Sequence, residues 1–229
     1  MFRSAILTIA LGLFSITVQA QTVWENEKLC ARNNAKACVQ LGASYDFGFD
    51  VQQNRRKANE LYRKACDLGD AEGCFSLGNA YYFSKGVRQD YRKAHELWRK
   101  ACNMGDSGGC FRLGNAYRYG DGVRQDYRRA HEFWQKTCDL GHPEACSNLG
   151  FAYHEGQGVQ QNYHKANELK QRACNLGESL SCCYLGFSYE RGRGVRKDYG
   201  KAKEFFKIAC DEGVETGCKK YNELTSKGY

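Results

Sequence analysis

Two interleaved cysteine ladders dictate what this chain can fold into. Cys30, Cys66, Cys102, Cys138, Cys174 and Cys210 recur every 36 residues, and Cys38, Cys74, Cys110, Cys146, Cys182 and Cys218 follow each of them by eight. A period of that length, kept without insertion, is the mark of a repeat architecture whose units bury their apolar faces only against their neighbours. Other columns keep the same step: Leu-Gly from Leu41-Gly42 to Leu185-Gly186, tyrosine from Tyr45 to Tyr189, alanine from Ala58 to Ala202 and glycine from Gly69 to Gly213.

Within one unit the spacing is helical. Cys74, Leu77, Gly78 and Tyr81 fall at i, i+3, i+4 and i+7, the stripe of a first helix. Glycine-rich breaks such as Gly120-Asp121-Gly122 end that helix. Asp90, Asp126, Asn162 or Asp198 then caps a second one. The second helix is expected to bury Tyr91, Ala94, Leu97, Trp98, Ala101 and Cys102, and Gly105 and its equivalents end it in a left-handed conformation. The single proline, Pro143, leaves long helical runs uninterrupted. A glycine inside a helix costs about 1 kcal/mol against alanine, so its repetition in the Leu-Gly column implies a close approach by the neighbouring helix. The fold class is all-α: helix–turn–helix units stacked in series.

The domain organisation follows. Residues 1–20 read as a signal peptide, with Arg3 before an apolar run from Ala5 to Val18 and small residues ahead of a cleavage point after Ala20. Residues 21–37 form a leading half-repeat. Five repeats follow at 38–73, 74–109, 110–145, 146–181 and 182–217, and 218–229 form a C-terminal capping helix made polar by Lys219, Lys220, Glu223 and Lys227. Export makes a secreted or periplasmic location the expectation, with no stable membrane insertion once the signal is removed.

In an exported chain, 13 cysteines imply a disulfide framework. The eight-residue spacing runs from the end of one second helix, across a glycine turn, into the next first helix, so the expected pairs are Cys30–Cys38, Cys66–Cys74, Cys102–Cys110, Cys138–Cys146, Cys174–Cys182 and Cys210–Cys218. Each closes a short loop worth roughly 2.5 kcal/mol in the chain-entropy picture. Zinc is the rival use of such residues, but no C-x2-C pair occurs and the five histidines form no ligand pattern, so neither metal nor cofactor is expected. Cys183 has no place on the ladders and is read as a free thiol, with a mixed disulfide or a link between two copies as alternatives.

The unit from Cys110 to Gly141 resembles a Sel-one-like repeat, a relative of the tetratricopeptide repeat, and the added cysteine ladder resembles the Helicobacter cysteine-rich protein family. The resemblance implies a right-handed solenoid whose first helices line a concave groove. It also implies two functions: an adaptor that holds partners, or a penicillin-binding protein and slow β-lactamase. By that analogy the groove positions are Phe75, Asn79, Tyr82 and Phe83, then Phe111, Asn115, Arg118 and Tyr119, then Phe151, His154, Cys183, Phe187, Glu190 and Arg191. Asn79 and Asn115 could clamp a peptide backbone, because an amide side chain both donates and accepts; the aromatics either form pockets or pack between repeats.

No residue can be nominated as catalytic. The S-x-x-K, S-D-N and K-T-G motifs of serine β-lactamases are absent, Lys136-Thr137-Cys138 being the nearest approach, and nothing identifiable would activate Cys183. The formal charge of +8 gathers on second helices, at Arg92, Lys93, Arg99, Lys100, Arg128 and Arg129, as on a solvated outer face. Export argues against nucleic acid as the partner of that charge. The expected partner is a peptide or protein, with a cell-wall fragment or a β-lactam as the alternatives, and a purely structural array is the third possibility.

Overall fold

The computed structural model describes residues 22–229, so the expected signal peptide and its cleavage point lie outside the described residues. A helix over 22–31 (α1) is followed by α2 (Ala35–Phe47), α3 (Arg55–Asp67), α4 (Ala71–Tyr82), α5 (Tyr91–Asn103), α6 (Ser107–Tyr119) and α7 (Tyr127–Asp139). Then come α8 (Pro143–Glu155), α9 (Tyr163–Asn175), α10 (Ser179–Arg191), α11 (Tyr199–Asp211) and α12 (Glu215–Ser226). No strand occurs among the described residues.

Helix starts follow the capping residues. Asn54, Asp90, Asp126, Asn162 and Asp198 each accept a hydrogen bond from the backbone N–H three residues on, at 3.0–3.1 Å. Helix ends follow the glycine column: Gly69 and Gly105 take φ of 88° and 93°, a conformation that any side chain would strain.

Two compact units make up the chain, one ending at Gly109 and one starting at Cys110. In the first, α2 packs on α3, α3 on α4 and α4 on α5. Its buried side chains include Leu41, Tyr62, Leu77 and Trp98. In the second, every helix from α7 to α12 packs on the next in sequence. Its cores gather around Trp134 with Leu149, and around Phe206 with Leu185 and Leu224. Each helix contacting the next in order is the arrangement of a solenoid.

Disulfides join Cys30–Cys38, Cys66–Cys74, Cys138–Cys146, Cys174–Cys182 and Cys210–Cys218, with Cα atoms 4.4–4.9 Å apart. Cys102 and Cys110 are disulfide-bonded as well. Each of these five bridges staples the end of one helix to the first helix of the next repeat.

The Leu-Gly column has a specific cause. A Cβ on Gly78 would lie 2.7 Å from Trp98 Cδ1, and one on Gly114 would lie 2.5 Å from Trp134 Cδ1. The close approach is therefore made by an aromatic ring of the second helix. Tyr62 over Gly42 and Phe206 over Gly186 repeat the contact. Tyr91 departs from the expected buried stripe: at the first position of α5 it is 39% exposed and packs only its ring against Tyr82, 5.2 Å away.

Candidate binding face

The first helices α4 and α6 carry the residues expected to line a groove, and the structure divides them by environment. Phe75 is half-buried, and its ring sits 3.0 Å from where a Cβ on Gly108 would lie, so it fills the space between successive first helices. Phe111 stacks on His142 at 4.7 Å and belongs to the core around Trp134. Tyr82 wedges among Phe83, Tyr91 and Trp98 at 4.9–5.2 Å. Arg118 lays its guanidinium over Tyr119, Trp134 and Phe151 at 5.1–5.7 Å.

The two asparagines differ. Asn115 Oδ1 accepts from Trp134 Nε1 and from Asn148 Nδ2, both at 3.2 Å, so its carbonyl end is spent inside the fold. In the equivalent pair of the preceding repeat, Asn79 Oδ1 and Trp98 Nε1 are both buried without a hydrogen-bond partner. Among the expected groove aromatics, Phe83 just past the end of α4 is 46% exposed and Tyr119 at the end of α6 is 62% exposed; Phe47 holds the same column in the first repeat and is 60% exposed. Large aromatic side chains left in water at equivalent positions cost free energy unless something covers them.

Cys183 is buried among Leu185 and Phe206, and burial pushes its thiol pKa up, which suppresses the thiolate a nucleophile needs. Among the described residues no cluster of His, Cys, Asp and Glu could hold a metal ion, and no helix is long and apolar enough to cross a membrane.

Three features escaped sequence reasoning. The tyrosine column is covered by a cation twelve residues on: Lys57 over Tyr45, Lys93 over Tyr81, Arg129 over Tyr117, Lys165 over Tyr153 and Lys201 over Tyr189, at 4.1–5.4 Å. Part of the basic outer face is thus stacked on aromatic rings as well as solvated. One step beyond the alanine column, Asn59 and Asn167 are buried and each donates to a backbone carbonyl in the loop of the following repeat; His131 is buried in the same column. Finally, Lys170 occupies the column held elsewhere by Tyr62, Trp98, Trp134 and Phe206, and it is only 3% exposed. That substitution is visible in the sequence once the column is aligned.

The Sel1 repeat family model matches five consecutive segments, 35–70, 71–106, 107–142, 143–178 and 179–214. Its units begin three residues ahead of the second cysteine ladder, at the first residue of each first helix. A protective antigen of uropathogenic Escherichia coli with an SLR fold is similar at 27% identity and a TM-score of 0.86, over 89% of this chain and 44% of that one. The chain therefore spans less than half the length of that antigen. A Sel1 repeat protein from Oxalobacter formigenes shares the fold at 23% identity and a TM-score of 0.82, over 93% of this chain and 85% of that one. Helicobacter pylori cysteine rich protein B is 30% identical over 58% of this chain and 96% of its own, with a TM-score of 0.48. No curated protein matches the chain.

Proposed function

The chain belongs to the Sel1 repeat family, and on that premise we propose that it is an exported scaffold which holds a peptide or protein partner on the face of its first helices. Sel1 repeat proteins are in general protein-interaction modules. The observation that carries the proposal is an exposed aromatic side chain at the end of a first helix in each unit, Phe83 in one and Tyr119 in the other, each with half-buried polar side chains on its own helix. Aromatic residues of this kind are enriched in protein interfaces, where a ring supplies contact area at small entropic cost.

Export is supported by the apolar run ahead of Ala20 and by disulfides, which persist in oxidising compartments. A cell-wall fragment would use the same face. Slow β-lactam hydrolysis gains nothing from the buried thiol of Cys183.

A displayed random-peptide library tests the proposal. The oxidised protein should enrich a recurring peptide pattern, and Phe83→Ala or Tyr119→Ala should reduce binding of the enriched peptides about tenfold, as expected for an aromatic anchor. Failure to enrich any pattern, or enrichment indifferent to both substitutions, would overturn it.

A further inference from the structure

Lys170 stands where the fold elsewhere keeps an aromatic ring, and the exchange opens a cleft. In the other repeats a ring covers the helical glycine; here a Cβ on Gly150 would lie 3.1 Å from Lys170 Cγ and from the Ala166 carbonyl oxygen, and no ring covers it. Beside that stem, among α8, α9 and α10, is a cleft of about 240 Å³ lined by His154, Tyr184, Phe187 and Ser188, with the exposed Arg191 and Arg193 completing it.

A buried ammonium normally has an acceptor, because an unpaired charge out of water is expensive. Lys170 is 97% buried by exposure of 3%, and makes neither a hydrogen bond nor an ion pair; its Nζ lies 4.7 Å from the centre of the Tyr184 ring. The nearest acidic influence is Glu155 at the end of α8, whose carboxylate is engaged by His154 Nδ1 at 2.7 Å. Ser188 Oγ donates to the Tyr184 carbonyl at 3.1 Å. Three N–H donors are therefore left facing a cleft with aromatic walls and further cations among its lining.

We propose that this cleft binds a carboxylate carried next to an apolar or aromatic group, with the carboxylate paired to Lys170 and the flank lying against Tyr184 and Phe187. One buried cation matches a singly charged anion better than a dianion, and the volume fits a group the size of one amino-acid side chain. A chain terminus or an acidic side chain of a peptide would present that chemistry equally. The site is distinct from the Phe83 and Tyr119 column and does not depend on it.

The test is titration of the isotopically labelled, oxidised protein, followed by amide and side-chain NMR shifts. The probes are N-acetylphenylalanine, its primary amide, an acetylated and amidated phenylalanyl-glutamate dipeptide, and inorganic phosphate. At least one carboxylate probe should shift residues of α9 and α10 while the uncharged amide does not. N-acetylphenylalanine binding alone assigns the chain terminus as the source, and dipeptide binding assigns the acidic side chain. Lys170→Met, which keeps the length of the stem, should weaken that binding about tenfold, the scale of one charge-assisted hydrogen bond. Arg191→Gln, at an exposed lining residue, should weaken it about twofold without touching the core. Phe83→Ala and Tyr119→Ala should leave it unchanged, which separates this site from the partner face. No shift with either carboxylate, equal binding to Lys170→Met, or binding of phosphate in preference to both carboxylates would overturn the proposal.

Discussion

Asn167 Nδ2 donates to the backbone carbonyl of Arg193 at 2.7 Å, reaching from the buried face of α9 into the loop that follows α10. In the other unit Asn59 Nδ2 makes the same bond to the Lys85 carbonyl, also at 2.7 Å. His131 holds the same register on α7, and burial holds its pKa below the usual histidine value. A side chain on α3 and one on α9 thus fasten the loop of the next repeat, 26 residues on.

Asn167→Ala should therefore destabilise the second unit by about 1 kcal/mol, the net worth of one part-buried hydrogen bond. The effect should be local before it is global. Amide hydrogen exchange in the loop around Arg193 should accelerate while the core of α7 and α8 stays protected. Unchanged exchange in that loop would mean that the bond does not hold it.

Much of the fold is legible in the sequence because its devices recur as identical residues. The cysteine ladders, the Asp and Asn caps and the glycine ends each repeat at one position and act locally, so periodicity alone exposes them. The loop clamp does not, because the column of Asn59 and Asn167 holds a histidine at His131, and the partner of each asparagine is a backbone carbonyl, which leaves no side-chain signature. The groove positions were legible only by analogy. Phe75 and Phe111 sit at outward-looking register yet pack between repeats, and Asn115 turns inward because Trp134 Nε1, nineteen residues on, needs an acceptor. Side-chain direction at such positions is set by tertiary partners that helical spacing does not name.

The ring-over-glycine contact gives an internal comparison. Gly114→Ala places a methyl 2.5 Å from the rigid Trp134 ring, and overpacking should cost about 1–3 kcal/mol despite the gain in helix propensity. Gly150→Ala meets a flexible lysine stem and a backbone oxygen, each at 3.1 Å, and should cost clearly less. Thermal unfolding of the two variants decides the matter. Equal losses would show that the backbone approach, rather than the ring, requires the glycine.

Lys170 makes stability and binding depend on pH in opposite senses. Burial pushes its pKa down to about 8, partly offset by the Glu155 carboxylate. The groups packed around it are His154 and Glu155 from α8, Tyr184 and Arg191 from α10, and Arg193 from the loop beyond. An unfolded lysine titrates at about 10.4, so between that value and about 8 the unfolded chain holds more protons and the folded state gains stability as pH rises. Below about 8 the full penalty of the buried charge applies. Lys170→Met should consequently be more stable than the parent by about 1–3 kcal/mol near pH 6, with the difference shrinking as pH climbs towards 10. A carboxylate ligand needs the protonated amine, so its affinity for the parent should fall as pH rises through about 8. Melting temperatures of parent and variant across that range check the first sign, and titrations with N-acetylphenylalanine check the second. A variant no more stable than the parent at pH 6 would show that the cleft already solvates this lysine, and a pH-independent affinity would show that the ammonium is not what the ligand meets.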